Sequence, residues 1–180
     1  MAEIAPRRQV VLDSGSFWRA LPPCAQFSLR VDLELAATRL AGVMPLSTTA
    51  CRAGSQGDWS ALWLGPDEQL LIGRELAGVD FEARVAGALQ GVAHSLVDVS
   101  HRQSAIEVTG PYAAALINAG CPLDLGLAAM PVGFCSRTVF AKAEIVLWRR
   151  TEICFQLQVW RSFLPYVTGI LTLVAEEYRG

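Results

Sequence analysis

At 180 residues the chain has the length of one domain, enough to bury about 70% of its extended-chain surface without disulfides or metal. Apolar residues make up 52% and charged residues 18%, against a usual charged share of about 25%, which excludes intrinsic disorder. Lys and Arg number 15 against 17 Asp and Glu, a net charge of −2, so the basic surplus of a nucleic-acid binder is missing.

The first 24 residues carry the turn formers Asp13, Ser14, Gly15, Pro22 and Pro23 and are expected to form an extended arm before one α+β domain over 25–180. Its N-terminal sixteen residues show no apolar leader core. Phe27, Leu29 and Val31 alternate along 26–31, as on a half-buried strand. Asp32 then caps a helix whose apolar positions are Leu33, Leu35, Ala36, Leu40 and Val43. A polar loop is expected over 45–58. Two apolar runs, 59–64 and 69–72, flank a hairpin connection at Gly65, Pro66, Asp67 and Glu68. A second helix opens at Asp80 with Phe81, Val85, Ala88 and Leu89 inward, and a strand follows at 95–99.

The rhythm then repeats. A strand at 105–109 leads through Gly110-Pro111 to a short helix at 112–119. After a loop rich in Gly and Pro come strands at 136–140, 144–148 and 154–160. A last helix is expected over 162–178, capped by Ser162, with Phe163, Tyr166, Val167, Ile170, Leu171 and Val174 facing the core. Pro165, Thr168, Gly169 and Thr172 interrupt it, and it falls short of the ~18 apolar residues of a membrane span. The order β-α-β-β-α-β, then β-α-β-β-β-α, predicts two related halves, about 25–99 and 103–178, each with helices on one face of a largely antiparallel sheet. A soluble, cytoplasmic chain that binds neither membrane nor nucleic acid is the expectation.

Lys142 is the single lysine beside 14 arginines. Arginine is favoured and lysine depleted at protein interfaces. The bias therefore fits a partner-binding face, with Arg149, Arg150 and Trp160 as candidates, and fits arginine-rich codon usage equally. Cys24, Cys51, Cys121, Cys135 and Cys154 are scattered, and neither His94 nor His101 lies at zinc-ligand spacing from them. They read as buried thiols. No glycine-rich nucleotide loop and no G-x-S-x-G elbow is present.

Asp98, Ser100 and His101 place triad residue types within four positions. On a strand Asp98 and Ser100 share one face and His101 takes the other, so no relay forms. They read instead as a polar cluster that satisfies backbone groups where one half hands over to the next. Asp67 and Glu68 read as turn residues rather than a catalytic carboxylate pair. No catalytic, cofactor-binding or metal-binding residue is expected in this chain.

Four ordered segments carry a resemblance. Residues 62–72 read LWLGPDEQLLI, 97–101 read VDVSH with IEVTGP at 106–111, 120–125 read GCPLDL, and 160–167 read WRSFLPYV. Together they resemble the folate-dependent aminomethyltransferase superfamily, which includes the glycine-cleavage T-protein, and within it the gamma subunits of heterotetrameric sarcosine oxidase. The resemblance implies a folate-binding-domain-like fold of two ferredoxin-like βαββ-type halves. It implies a place beside alpha, beta and delta subunits in a complex that oxidises sarcosine to glycine, makes hydrogen peroxide and passes the one-carbon unit to tetrahydrofolate. There FAD, FMN, NAD and tetrahydrofolate belong to the larger subunits and zinc to the delta subunit, and no cofactor belongs to this chain. Alternatives are a gamma-type subunit of another multisubunit N-methyl amino-acid oxidase or dehydrogenase, and a standalone folate-dependent aminomethyltransferase. Catalytic aminomethyltransferases carry an Asp pair where this chain reads AEIVLW at 143–148, and often Met where it has Arg102.

Overall fold

Two five-stranded antiparallel sheets carry the chain, and each takes its helices on one face only. The computed structural model describes residues 17–44, 46–73 and 78–179. In chain order these are β1 (Trp18–Ala20), β2 (Ala25–Val31), α1 (Leu33–Leu40), β3 (Ala53–Gln56), β4 (Trp59–Gly65), β5 (Glu68–Gly73), α2 (Gly78–Ala88) and β6 (His94–Asp98). Then follow β7 (Gln103–Thr109), α3 (Ala113–Asn118), β8 (Cys135–Phe140), β9 (Ala143–Thr151), β10 (Cys154–Trp160) and α4 (Leu164–Ala175).

The first sheet is ordered β3-β4-β5-β2-β6 and the second β8-β9-β10-β7-β1. Each half starts on its fourth strand, inserts a helix, returns as a three-strand meander and adds a second helix. The place beside the starting strand is filled by β6 in the first sheet. In the second it is filled by β1, from the opposite end of the chain, with Trp18 facing Val108 and Ala20 facing Ile106. The two related halves expected from the sequence are therefore present.

Period-two alternation decides what each face buries. Phe27, Leu29 and Val31 of β2 and Leu71 of β5 pack beneath Leu33, Leu40, Phe81 and Val85 of the first two helices. Ile106, Val108, Leu147, Phe155 and Leu157 pack beneath Leu116, Ile117, Val167 and Leu171. The intervening positions meet between the sheets, where Leu62, Leu70 and Ile72 oppose Cys135, Val146 and Trp148. The layers thus run helices, sheet, sheet, helices. Main-chain bonds stitch the seam: Cys135 N–H donates to the Cys51 carbonyl at 3.0 Å and Ala53 N–H to the Gly133 carbonyl at 2.8 Å.

Local chemistry explains the element ends. Asp32 caps α1, its carboxylate accepting from the Glu34 and Leu35 N–H groups at 3.1 Å each. The loop expected over 45–58 contains β3, whose Ala-Gly-Ser-Gln sequence lacks the β-branched signature of a strand. It pairs with β4 across a Gly57–Asp58 turn that requires φ +58° at Gly57. Of the expected extended arm, 1–16 lie outside the described residues, and Trp18–Ala20 pair with β7 as an edge strand. The last helix is not continuous over 162–178. A 3-10 turn at Arg161–Phe163 precedes α4 and another at Glu176–Tyr178 follows it. Phe163 occupies the cap position with no side-chain cap bond, and Pro165 sits in the first turn.

Candidate functional site

The junction between the halves is a turn, not a through-running strand. β6 ends at Asp98, and residues 100–102 turn the chain into β7. That turn brings the Asp98 and Ser100 side chains together. Ser100 Oγ–H donates to Asp98 Oδ1 at 2.5 Å, and the Ser100 N–H donates to the same oxygen at 2.8 Å. Ser100 Oγ in turn accepts from the Gln26 N–H at 2.9 Å, while Val99 N–H donates to the Gln26 carbonyl at 2.8 Å. The two bonds from Ser100 hold the Asp98 carboxyl below the ordinary aspartate range. His101 lies exposed on the turn, where its carbonyl accepts from Arg161 Nη1 at 3.3 Å. The face alternation expected for these three residues does not apply, because the strand stops before it reaches Ser100.

Glu68 corrects the reading of the Pro66–Asp67 connection. It is the first residue of β5, nine-tenths buried in the seam, and accepts from two arginines. Arg30 of β2 donates from Nη2 at 2.8 Å, and Arg137 of β8, in the other sheet, donates from both Nη atoms. The bond to Glu68 raises the Arg137 pKa. A shallow cleft of about 460 Å³ opens nearby, lined by Asp32, Leu33, Trp63, Pro66 and Asp67 among others. The seam is otherwise partly polar. Gln26, Gln103 and Gln158 are buried there, each with side-chain polar atoms lacking a protein partner among the described residues. Among those residues no group of three His, Cys, Asp or Glu side chains could hold a metal ion, and no helix is long and apolar enough to cross a membrane.

The three expected interface residues divide. Arg149 is 2% exposed and cannot meet a partner. Its guanidinium donates to the Met130 carbonyl at 2.7 Å and the Leu125 carbonyl at 2.8 Å, and stacks 4.5 Å from the Phe155 ring centroid. Burial pulls its pKa down. Sequence reasoning placed it outside because it is charged, and the run Arg149-Arg150 gives no sign of which side chain turns in. Arg150 is exposed, 5.1 Å over the Trp148 ring and 3.9 Å from Glu107, which also accepts from Arg19 at 2.6 Å. Trp160 is 43% exposed, with Arg102 5.3 Å over its ring. Phe163 and Tyr166 are also exposed and meet edge to face at 6.3 Å.

Residues 33–176 match the model of the sarcosine oxidase, gamma subunit family. The chain belongs to this family. It is 31% identical over 177 residues to the sarcosine oxidase subunit gamma of Corynebacterium sp. (strain U-96), covering 98% of this chain and 84% of that one. Subunits of the same name match at 32% identity in Corynebacterium sp. (strain P-1) and 36% in Arthrobacter sp. Those alignments cover 70% and 56% of this chain and span 61% and 48% of the relatives' own lengths. In fold the chain is similar to a chain of the heterotetrameric sarcosine oxidase from Corynebacterium sp. U-96 in complex with pyrrole 2-carboxylate. The TM-score is 0.81 at 24% identity, over 91% of this chain and 85% of that one. The glycine cleavage system aminomethyltransferase T from Bartonella henselae matches with a TM-score of 0.61 at 11% identity, over 84% of this chain and 44% of that one.

In this gamma-family chain the four resemblance-bearing segments have distinct places. LWLGPDE is the β4–β5 hairpin that delivers Glu68 to the seam, and DVSH is the junction turn. GCPLDL opens the loop that Arg149 anchors. Its start is held by Asn118 Nδ2, which donates to the Cys121 and Leu123 carbonyls at 3.2 and 2.7 Å. A methyl on Gly120 would lie 3.0 Å from the Phe140 ring, so the tight packing there favours glycine. WRSFLPYV spans the end of β10, the 3-10 turn and the first turn of α4.

Proposed function

We propose that this chain is a non-catalytic structural subunit of a heterotetrameric sarcosine oxidase assembly, held by alpha, beta and delta partners in the cytoplasm. The observation that carries the reading is the 31% identity sustained over 177 residues with a named gamma subunit. In that reading FAD, FMN, NAD and tetrahydrofolate reside in the larger subunits and zinc in the delta subunit. The assembly oxidises sarcosine to glycine, forms hydrogen peroxide and passes the one-carbon unit to tetrahydrofolate.

The side chains support a scaffold role. Where aminomethyltransferases carry an Asp pair, Ala143, Ile145 and Leu147 belong to the helix-side core and Val146 and Trp148 to the seam, while Glu144 is exposed. The stretch therefore does not fit a carboxylate site for folate. Asp98 and Ser100 bond to each other, and Ser100 Oγ accepts from the Gln26 N–H of β2, so both side chains are engaged in pinning the junction turn to the first sheet.

Co-expression with the flavoprotein subunits of such an assembly, followed by native mass measurement, tests the proposal. One copy of this chain per assembly is expected. Turnover per flavin should be little changed by His101→Ala. A loss beyond about a hundredfold in a normally assembled complex, the size expected for a general base, would make the chain a catalytic one.

A further inference from the structure

A surface helix ordinarily turns one apolar stripe inward and charged residues outward. In α4 the inward stripe is Val167, Leu171 and Ala175, all buried. Its outward surface is not charged at all, for no Asp, Glu, Lys or Arg occurs between Arg161 and Glu176. A second apolar stripe runs there instead. Phe163 is 41%, Tyr166 38% and Leu173 66% exposed, and Ile170 is half-buried between them. Their spacing of three, four and three residues aligns them on one ridge, roughly a third of the way around the helix from the buried stripe. Beside the ridge Gly169 and Thr172 are exposed, and a methyl built on Gly169 would touch nothing within 4 Å. Small residues flanking a ridge let another backbone approach closely, as in helix-on-helix packing.

We propose that this ridge seats one apolar-faced helix of a larger subunit of the assembly, an inference that rests on the subunit role proposed above. The charges at its two ends define the occupant. Arg102 and Arg161 stand at the Trp160 end, and the exposed Glu176 and Glu177 at the other, about 22 Å apart at the rise of a helix. The matching helix is acidic where it meets the arginines and basic where it meets the glutamates. Burial of the aromatic ridge supplies the affinity, and the terminal charges set direction and on-rate. A second copy of this chain is the weaker fit. A ridge of four large side chains about 15 Å long falls well short of the ~1,600 Å² that a stable pair of proteins buries, whereas a larger subunit continues the contact beyond α4.

The test compares two double variants co-expressed with the flavoprotein subunits. Tyr166→Asp with Leu173→Asp charges the α4 ridge and leaves its buried stripe intact. Ala83→Asp with Ala86→Asp charges exposed positions of α2 to the same extent. Circular-dichroism melts of each free variant check folding. The α4 variant is expected to melt like the wild type and to fall more than tenfold in its recovery with the flavoprotein subunits, while the α2 variant assembles normally. Arg102→Glu with Arg161→Glu should give a smaller loss that disappears at high salt. Normal assembly of the folded α4 variant overturns this proposal alone. A wild-type chain that stays apart from those subunits, including one that instead forms dimers lost in the α4 variant, overturns the subunit role and this proposal together.

Discussion

α2 and α4 occupy the same place in the two halves, each following the third strand of a meander and covering one sheet. They are dressed differently. α2 buries Phe81 and Val85 and shows Asp80, Glu82 and Arg84 to solvent, while α4 buries Val167 and Leu171 and shows Tyr166 and Leu173. The shared strand order means that the fold does not demand an uncharged outer face at this position. The first half meets the demand of packing with one apolar stripe. Among the described residues the second stripe of α4 contributes nothing to the core beyond Ile170, and the proposed partner helix accounts for it.

That contrast is informative only if the halves are otherwise one cooperative body, and substitutions on each side check this. The largest effect is expected at Arg149. Replacement by Ala strands the Leu125 and Met130 carbonyls, each worth about 1–3 kcal/mol when left unsatisfied, and should lower stability by about 3 kcal/mol in urea unfolding. Arg149→Lys should not restore it, because an ammonium cannot reach both carbonyls from a stacked plane. In the first half, Gly73→Ala would drive a methyl to 2.6 Å from the Trp59 ring, itself stacked on Phe81 at 3.6 Å. Such overpacking costs about 1–3 kcal/mol. Both variants should shift a single unfolding transition. Two separated transitions would mean that the halves unfold independently.

The seam gives the next smaller effect. Glu68→Gln weakens the tie between Arg30 of one sheet and Arg137 of the other. Both arginines are about half exposed and screened, so about 1 kcal/mol is expected. The junction gives the smallest. Asp98 has its pKa lowered in the folded chain, so its bond to Ser100 stabilises above the ordinary aspartate range near ~3.9. The contribution is lost as pH falls through the folded value. Asp98→Asn should therefore lower the urea midpoint slightly at neutral pH and flatten the acid limb of the stability profile. An unchanged acid limb would remove Asp98 from the junction's stabilisation.

The sequence made the alternating strands legible because Phe27, Leu29 and Val31, or Ile106 and Val108, leave little choice of face. It hid β3, where Ala53–Gln56 pair through their backbone with no side-chain signal. It also hid β1, since pairing with β7 joins residues nearly ninety positions apart. In α4 the expected core stripe mixed Val167, Leu171 and Val174 with Phe163 and Tyr166, which face out. A helix apolar on two sides carries no periodicity that names the inner one. Of the candidate site, Trp160 was legible as an exposed aromatic, whereas Arg149 turned inward for want of any pattern that marks a buried cation. The junction failed as a strand argument because Ser100 folds back onto Asp98, a turn habit of Ser and Asp that alternation ignores.

The contrast between the two helices can be read side chain by side chain. Hydroxyl-radical footprinting of the free chain and of the purified assembly reports the solvent access of Phe163, Tyr166 and Leu173 against Phe81 and the exposed residues of α2. All three should be modified in the free chain and lose at least tenfold of their modification in the assembly, with α2 unchanged. Equal modification of the α4 ridge in the free and assembled chain would contradict the assignment of this face to a partner.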